Sequence, residues 1–377
     1  MSQNKCRICG SAFFKAPLIR MENMPGSAQN FPDADSLGND KGIDLEVCQC
    51  PGCGIVQLSN DPVPYYREVI RAAAFSEEMK QFRLQQFEQF AHRYSLENKK
   101  IIEIGCGCGE YLSLMKNFVP QAYGLEYSTV SVNICKDSGL KVQQGYIDAE
   151  KFLIHDAPFN AFFILNFLEH LPDINTVLRG IAHNLTDDAV GLIEVPNFDM
   201  ILRKNLFSEF ISDHLFYFTE ETLSSVLAVN GFHVLECKAV WHDYLLSAVV
   251  RKRCPVDISD FSGFQSKLKD ELHEFIGRYK EVAIWGAGHQ ALTVLSLAGL
   301  SGKIKYVVDS ASFKQNKYTP ASHIPIVAPE MLRTNKVDAV IIMAAAYSDE
   351  IAGFLMNNYS KQIAIAILRD YGLEKIN

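Results

Sequence analysis

Residues 101–109 constrain the fold of this chain more than any other stretch. They read IIEIGCGCG, a short apolar run that enters a turn with three closely spaced glycines, and a helical pattern begins near Glu110. Glycine lets the backbone adopt positive φ and approach a ligand closely. A buried strand, a glycine-rich turn and a helix in this order predict a parallel αβ sheet with a ligand-binding loop at its edge.

Strand and helix patterns alternate along most of the chain, and this alternation predicts an α/β fold. Residues 66–255 are expected to form a Rossmann-like core, which begins with a pair of connecting helices at residues 66–95. A second, shorter alternation predicts a smaller Rossmann-like domain at residues 256–377. Residues 1–65 have few periodic apolar segments, so this part needs a stabilising cross-link to fold.

Two CxxC pairs provide that cross-link. Four cysteines at this spacing are typical of a tetrahedral zinc site, in which thiolates bind the metal and supply folding free energy. A site with four thiolates has no open position, so the predicted zinc is structural. Cys48 is a rival ligand for Cys50, although the x-x spacing and the following glycine favour Cys50. The predicted metal ligands are Cys6, Cys9, Cys50 and Cys53.

Charge and hydropathy argue against several classes of partner. Lysine and arginine total 36 against 44 aspartates and glutamates, a net charge of −8, whereas proteins that bind duplex nucleic acid usually carry a basic excess. The N-terminal residues lack the apolar stretch of a signal peptide, and the longest apolar run, Ala339–Tyr347, is about half of what spans a bilayer. We therefore expect a soluble, cytoplasmic protein with a small-molecule substrate and with neither nucleic acid nor membrane as a partner. The sequence is silent on oligomeric state.

Two acidic residues extend the pattern of the glycine loop. Glu103 precedes the turn, and Glu126 ends the next strand about twenty residues on, where a carboxylate can bind a ribose diol. This combination resembles the loop of S-adenosylmethionine (SAM) methyltransferases more than that of dinucleotide dehydrogenases. Asn166 ends the fourth strand and should face the same edge of the sheet. The predicted cofactor is SAM, and its predicted binding residues are Glu103, Gly105, Gly107, Gly109, Glu126, Asp148 and Asn166.

A second glycine turn follows a strand in the C-terminal domain. It reads WGAGHQA, and Asp309 ends the next strand. By itself this is a GxGxxA dinucleotide fingerprint, which keeps an NAD(P)-dependent oxidoreductase as an alternative function. A helix N-terminus binds any pyrophosphate, however, including that of a nucleotide sugar. The predicted substrate-binding residues of this domain are Gly286, Gly288, His289, Gln290 and a phosphate partner, Lys314.

The complete arrangement resembles the sugar C-methyltransferases of deoxysugar biosynthesis. The resemblance covers nearly the whole chain and rests on the double-CxxC head, the glycine loop, the motif NFLEHLPD at residues 166–173 and the C-terminal segments KYTP and HIPIVAP. It implies a Rossmann-like class I methyltransferase core, an N-terminal zinc-binding domain and a C-terminal domain that helps to bind the substrate. In that family the acceptor is a nucleotide-linked 4-keto sugar, methylated at the carbon beside the ketone.

The catalytic motif of that family is altered here. Its Tyr-His-Glu-His-like run corresponds to Ile211-Ser212-Asp213-His214, so the tyrosine and the first histidine are missing. One interpretation makes His214 the general base that removes the proton beside the ketone. The other changes the acceptor to an oxygen or nitrogen, which needs no carbon acid; we favour methylation at carbon. His214 is expected to be assisted by Asp213, by His170 or by one of three tyrosines. These tyrosines are also predicted to bind the substrate, and they are Tyr65, Tyr66 and Tyr244.

Overall fold

The structure is a computed structural model that describes residues 4–68, 76–359 and 363–377. The chain folds into two units, Met1–Cys254 and Pro255–Asn377. The first unit contains the residues predicted as a zinc-binding head together with the core. The second unit contains the residues predicted as the C-terminal domain.

The helices and strands of the first unit follow one another in the order β1 (Ile19–Met24), β2 (Ile43–Gln49), β3 (Val56–Leu58), α1 (Glu77–Arg93), β4 (Ile101–Ile104), α2 (Glu110–Met115), β5 (Ala122–Glu126), α3 (Thr129–Asp137), β6 (Lys141–Gln144), β7 (Phe159–Leu165), α4 (Ile174–His183), β8 (Leu185–Pro196), α5 (Phe198–Arg203), β9 (Phe216–Tyr217), α6 (Glu220–Val229), β10 (Phe232–Val240) and β11 (Leu245–Lys252). A pair of helices was predicted for residues 66–95, and the described part of this range contains one helix, α1. Residues 69–75 lie outside the described part of the chain.

Seven of these strands form one sheet in the order β10-β11-β8-β7-β4-β5-β6. Strands β4 to β8 run parallel, and β11 pairs antiparallel with both β8 and β10. From β4 the chain adds β5 and β6 on one side and β7 and β8 on the other. The carboxyl end of β4 is therefore the topological switch point, where ligands bind in open αβ sheets. The predicted α/β class and Rossmann-like core are confirmed.

The central strands are continuous apolar runs because both faces of the sheet are covered. In β7 every residue from Ala161 to Leu165 is buried, and the ring of Phe163 packs against Phe87 of α1 with centroids 5.5 Å apart. The neighbouring ring of Phe162 lies over Gly191 of β8, where an added Cβ would lie 2.1 Å from it. This packing fixes the positions of the loops at the carboxyl edge of the sheet.

The head contributes a four-stranded antiparallel sheet in the order β1-β2-β3-β9. Its last strand comes from the core segment, because Val56 of β3 pairs with Tyr217 of β9. The Leu58 N–H also donates to the Leu215 carbonyl at 2.9 Å. Strand β3 of the head therefore fixes the backbone that immediately follows His214.

The second unit is built from α7 (Ser259–Ile276), β12 (Val282–Trp285), α8 (His289–Leu297), β13 (Tyr306–Val308), β14 (Lys317–Tyr318), β15 (Pro325–Val327), α9 (Met331–Thr334), β16 (Ala339–Ile342), α10 (Ser348–Tyr359), β17 (Ala364–Arg369) and β18 (Gly372–Lys375). Its sheet has the order β14-β15-β13-β12-β16-β17-β18, with antiparallel strands at its two edges. The smaller Rossmann-like domain predicted from the sequence is confirmed. Within the described ranges of both units, no helix has the length and apolar character needed to cross a bilayer.

The contact between Phe162 and Gly191 gives a stability prediction. Gly191→Ala places a methyl group against the ring, so we expect the free energy of unfolding to fall by about 1–3 kcal/mol in urea titrations. Gly38→Ala is the matched control, because no atom lies within 4 Å of the added Cβ there, and it should change stability by less than about 0.5 kcal/mol. Equal effects of the two substitutions would contradict this packing.

Candidate functional site

The loop between β4 and α2 requires glycines at two positions. Gly105 has a φ of +69°, and a Cβ there would lie 2.7 Å from the ring of Phe167. Gly109 has a φ of +86°, and a Cβ there would lie 2.4 Å from the side chain of Leu140. Any other residue would add strain and steric overlap. The loop predicted for Gly105, Gly107 and Gly109 therefore presents its backbone at the switch point of the sheet.

Glu126 holds this loop in place from the end of β5. Its Oε2 accepts the Gly107 N–H at 2.8 Å, and its Oε1 accepts the Ser128 N–H at 2.8 Å. Glu103 is completely buried within β4, whereas Asp148 is exposed in the loop after β6. The structure therefore brings Glu126 and the glycine loop into contact and leaves Asp148 on the surface.

Arg67, which the sequence analysis missed, lies in the pocket between the glycine loop and β6. Its guanidinium carbon lies 4.8 Å from the ring centroid of Tyr146, 5.6 Å from that of Tyr127 and 5.4 Å from that of Tyr66. The cavity that remains is about 20 Å³, whereas pockets for ligands usually measure about 300–1,000 Å³. A nucleoside can bind here only if Arg67 moves. The sequence signal for Arg67 is weak, because an arginine that follows Tyr65 and Tyr66 does not by itself indicate a ligand-binding pocket.

Asn166 lies at the same edge of the sheet, directly after β7. Its φ is +49°, and its N–H donates to the Glu194 carbonyl at 2.9 Å, which aligns the end of β7 with β8. Its Oδ1 is buried and accepts no hydrogen bond from any described residue. Buried amide oxygens are usually hydrogen-bonded, so this atom is a candidate contact for the N–H group of a ligand.

His170 and His214 meet farther along the same edge, with ring centroids 4.8 Å apart in an edge-to-face contact. Nδ1 of His170 donates to the Asp213 carbonyl at 2.8 Å, because a carbonyl can only accept. In the neutral ring Nε2 therefore carries the lone pair, and it lies 3.8 Å from Oε1 of Glu169. The ligating atoms of Glu169, His170 and His214 lie within 4.8 Å of one another, a spacing that could also hold a metal ion. The three residues predicted to be catalytic, His214, Asp213 and His170, therefore lie together in the structure.

Burial keeps both histidine rings neutral. It lowers the pKa of His170 to about 4, against the opposing effect of the hydrogen bond to Asp213. It lowers the pKa of His214 to about 3, and the adjacent His170 ring contributes to this shift. At neutral pH each ring is therefore uncharged and carries one nitrogen lone pair.

The carboxylate of Asp213 connects the histidine pair to the head. It is buried, its Oδ1 accepts the Ala28 N–H at 2.8 Å, and its Oδ2 accepts the Tyr65 hydroxyl at 2.8 Å. Burial and the charge of Asp213 raise the pKa of Tyr65 above its usual value. The sequence analysis missed Ala28, because its contribution is a backbone N–H that every residue type except proline offers.

The two other predicted tyrosines make different contacts. Tyr66 accepts a hydrogen bond from Nε of Arg67 at 3.0 Å. Tyr244 lies in the turn before β11 and donates to Glu209 at 3.1 Å. Burial and the charge of Glu209 raise the pKa of Tyr244 to about 12. Of the three tyrosines, Tyr65 is the one that is hydrogen-bonded to Asp213.

The four predicted metal ligands of the head form one cluster, in which the Sγ atoms of Cys6, Cys9, Cys50 and Cys53 lie within 4.8 Å of one another. Cys6 and Cys53 are 3.6 Å apart, and Cys9 and Cys50 are 3.3 Å apart. Thiolates bound tetrahedrally at about 2.3 Å from zinc would be about 3.8 Å apart, so this arrangement is close to that of a metal site. Cys48 is buried in β2 outside the cluster, and the geometry selects Cys50.

Donors surround the sulfur atoms of this cluster. Nε2 of Gln57, a completely buried residue, donates to Sγ of Cys6 at 3.1 Å, and the Ile8 N–H donates to the same atom at 3.4 Å. The Gly52 N–H donates to Sγ of Cys50 at 3.3 Å. Such hydrogen bonds stabilise thiolates and orient the ligands of a metal.

The second glycine loop is tied to a carboxylate in a similar way. The Ala287 N–H donates to Oδ2 of Asp309 at 2.8 Å, and Lys314 pairs with the same oxygen at 2.8 Å. Gly286 has a φ of +111°, and a Cβ there would lie 2.5 Å from the Met343 carbonyl oxygen. Lys314, predicted as a phosphate partner, is therefore engaged with Asp309.

The remaining residues predicted to bind the substrate in this unit lie at the start of α8. Gly288 directly precedes the helix, and His289 is exposed at its first position. Gln290 accepts the Ala345 N–H at 3.3 Å. The structure therefore places these residues on one turn.

Two family models match the chain. Residues 75–237 match the model described as a methyltransferase domain, and residues 259–364 match the model described as a C-methyltransferase C-terminal domain. The C-methyltransferase NovU of Streptomyces niveus is 22% identical over 387 aligned residues, which cover 92% of this chain and 91% of NovU. This likeness extends over both units.

Two further similarities cover parts of the chain. A fatty-acid O-methyltransferase of Mycolicibacterium smegmatis (strain ATCC 700084 / mc(2)155) is 29% identical over 142 residues, which cover 34% of this chain and 50% of that protein. Among solved structures, an S-adenosylmethionine-dependent methyltransferase from Clostridium acetobutylicum ATCC 824 aligns with 50% of this chain and 96% of its own, at 12% identity and a TM-score of 0.39.

The lowered pKa values of His170 and His214 predict how stability depends on pH. Below pH 6.5 the two histidines are protonated in the unfolded chain but remain neutral in the folded protein. The free energy of unfolding should therefore fall as the pH drops from 6.5 toward about 4. The loss is at most about 1.4 kcal/mol per pH unit for each histidine. We expect His170→Gln/His214→Gln to flatten this dependence in urea titrations.

His233→Gln is the control for this experiment, because His233 is exposed on β10. It should leave the slope between pH 6.5 and 4 unchanged. If the double variant at the buried pair had the same slope as the wild type, the two rings would not be neutral in the folded protein.

Proposed function

We propose, on the premise that this chain is a SAM-dependent methyltransferase of the C-methyltransferase family, that it methylates a carbon beside the ketone of a nucleotide-linked sugar. The premise combines the two matching domain models with the likeness to NovU along the chain. These similarities confirm the enzyme class and the resemblance predicted from the sequence. The acceptor and the roles of individual residues are the proposal.

The carboxyl edge of the first unit supplies groups that can bind SAM. Gly105 and Gly109 let the loop turn with positive φ beside Phe167 and Leu140, and the Asn166 Oδ1 is buried without a donor among the described residues. We assign the methionine half of SAM to the glycine loop and Asn166, and its ribose to Glu126. SAM supplies a methyl group that its sulfonium already makes electrophilic. The protein has to align the acceptor with that methyl group and exclude water.

The pair formed by His170 and His214 carries the proposal for methylation at carbon. A carbon beside a ketone becomes a nucleophile only after a base has removed its proton. His214 is a neutral imidazole next to a second one, and we propose that it accepts this proton. The enolate carbon then bonds to the methyl group while the carbon–sulfur bond breaks. His170, whose Nδ1 is fixed by the Asp213 carbonyl, is proposed to assist at the same site.

Tyr65 compensates for the tyrosine that is missing at Ile211. Its hydroxyl reaches the Asp213 carboxylate at 2.8 Å from the head segment. We propose that Tyr65 and Asp213 position His214 and bind the acceptor near its ketone. Burial and the charge of Asp213 raise the pKa of Tyr65, so its hydroxyl stays protonated and keeps its single O–H on the Asp213 carboxylate.

The second unit is proposed to bind the nucleotide part of the substrate. Its glycine loop passes close to the Met343 carbonyl, and α8 begins with the exposed His289. The alternative function, an NAD(P)-dependent oxidoreductase, would use the Asp309 carboxylate to bind a ribose diol. That carboxylate is already bound by Lys314 and the Ala287 N–H, so we favour the nucleotide sugar.

Structural zinc in the head is the second part of the proposal. The cluster of four Sγ atoms and the N–H donors around Cys6 and Cys50 support it. The metal would join the two CxxC turns and so stabilise β2 and β3. Because β3 pairs with β9, the metal would also stabilise the backbone that follows His214.

Zinc content tests this part of the proposal. We expect one zinc per chain by elemental analysis, and its loss in Cys9→Ser or Cys53→Ser, because each variant removes one of the four ligands. Cys48→Ser is the matched control, since Cys48 is buried in the same sheet outside the cluster and should retain the metal. Full zinc content in all three variants would contradict the assignment.

Proton exchange tests methylation at carbon. In D₂O with S-adenosylhomocysteine, which cannot donate a methyl group, we expect ¹H NMR to show loss of the proton beside the ketone of a nucleotide-linked 4-keto sugar. His214→Asn should slow this exchange by about a hundredfold or more, because it removes the base. His233→Asn should leave the exchange unchanged.

Turnover with SAM then separates carbon from oxygen or nitrogen as the acceptor atom. Methylated product formed without any deuterium exchange on the remaining substrate would favour the heteroatom interpretation, which the missing tyrosine at Ile211 also allows. Mass spectrometry of the product would identify the methylated position.

A further inference from the structure

Arg83 of α1 is a completely buried arginine. Its Nη1 pairs with Oε2 of Glu194, also completely buried, and donates to Oε1 of Gln86 at 2.8 Å. Nε2 of Gln86 in turn donates to the other oxygen of Glu194. Both oxygens of this carboxylate are therefore satisfied by α1.

The opposite edge of the guanidinium is unused. Nε and Nη2 of Arg83 are buried, and neither has a hydrogen-bond partner among the residues that the structure describes. Buried donors of a charged group are rarely left without acceptors, because the loss of water is costly. The two N–H groups on this edge form the planar fork that binds a carboxylate through two parallel hydrogen bonds.

The fork lies close to the proposed SAM site. The guanidinium carbon is 4.9 Å from the ring centroid of Tyr111, the second residue of the helix that follows the glycine loop. Its partner Glu194 lies opposite Leu165, and the Glu194 carbonyl accepts the Asn166 N–H. Arg83 therefore lies between the start of α2 and the end of β7, the side assigned to the methionine half of the donor.

We infer that the Nε–Nη2 edge of Arg83 binds the α-carboxylate of the methyl donor's methionine half. The inference rests on the SAM site proposed above and adds a residue to it. The methionine half is a zwitterion, which requires a donor fork for its carboxylate and an acceptor for its ammonium. Among the described residues, the two buried donors of Arg83 have no acceptor, and the buried acceptor of Asn166, Oδ1, has no donor. These two orphaned groups are complementary to the two charges of the ligand.

Glu194 and Gln86 act through Arg83 rather than on the ligand. By binding Nη1, they hold the guanidinium so that its free edge is turned away from β8. Because Arg83 is completely covered, the carboxylate can reach it only after a rearrangement, as the adenosine end requires for Arg67.

Binding calorimetry with two ligands tests the inference. S-adenosylhomocysteine carries the amino-acid half, whereas 5′-methylthioadenosine keeps the adenosine and the sulfur but lacks that half. Arg83→Lys retains a cation beside Glu194 and loses the fork. We expect it to weaken S-adenosylhomocysteine binding by about tenfold to a hundredfold and to leave 5′-methylthioadenosine binding unchanged. Equal weakening of both ligands, or of neither, would overturn the inference.

Two further variants separate binding from folding. Arg83→Met/Glu194→Gln removes both buried charges, so no uncompensated carboxylate remains, and it should show the same selective loss. Arg93→Met lies on the same helix at an exposed position and should bind both ligands as the wild type does. If wild-type protein bound neither ligand, the proposed SAM site would itself be wrong; if it bound both with equal affinity, only the role of Arg83 would be rejected.

Discussion

The site depends above all on the burial of one carboxylate, that of Asp213. A buried carboxylate is stable only when hydrogen-bond donors replace the water that it has lost. Those donors come from the head, through the Ala28 N–H and the Tyr65 hydroxyl, while the carbonyl of the same residue fixes Nδ1 of His170. The head therefore supports the residue that holds His170, and segments far apart in sequence meet at the histidine pair.

The two units use similar loops with different electrostatic outcomes. In each, a carboxylate at or just after the end of the second strand accepts an N–H of the first glycine turn, Gly107 to Glu126 and Ala287 to Asp309. Glu126 has only backbone donors among its described partners, so its negative charge remains available to a ligand. Asp309 is paired with Lys314, which neutralises it. With the same loop geometry, the carboxylate has backbone donors among its described partners in one unit and is paired with a lysine in the other.

Much of the fold could be predicted because it rests on local patterns. Apolar runs predicted the central strands, and the glycines at positions 105 and 109 occupy backbone conformations that exclude other residues. What could not be predicted depends on contacts between distant segments. Arg83 meets a carboxylate 111 residues away, and nothing in the helix pattern around it distinguishes it from an exposed arginine. Arg67 is similar, because its role follows from where three tyrosine rings meet.

The pairing of β3 with β9 has a consequence for how this sequence can evolve. The knuckle that carries Cys50 leads directly into β3, and the hydrogen bond from Leu58 reaches the residue next to His214. A substitution in the first sixty residues that shifts this strand would displace the histidine without touching any ligand. We therefore expect the head to accept few substitutions that move β3. Exchanging the head between related enzymes should succeed only when β9, the strand that pairs with β3, is exchanged with it.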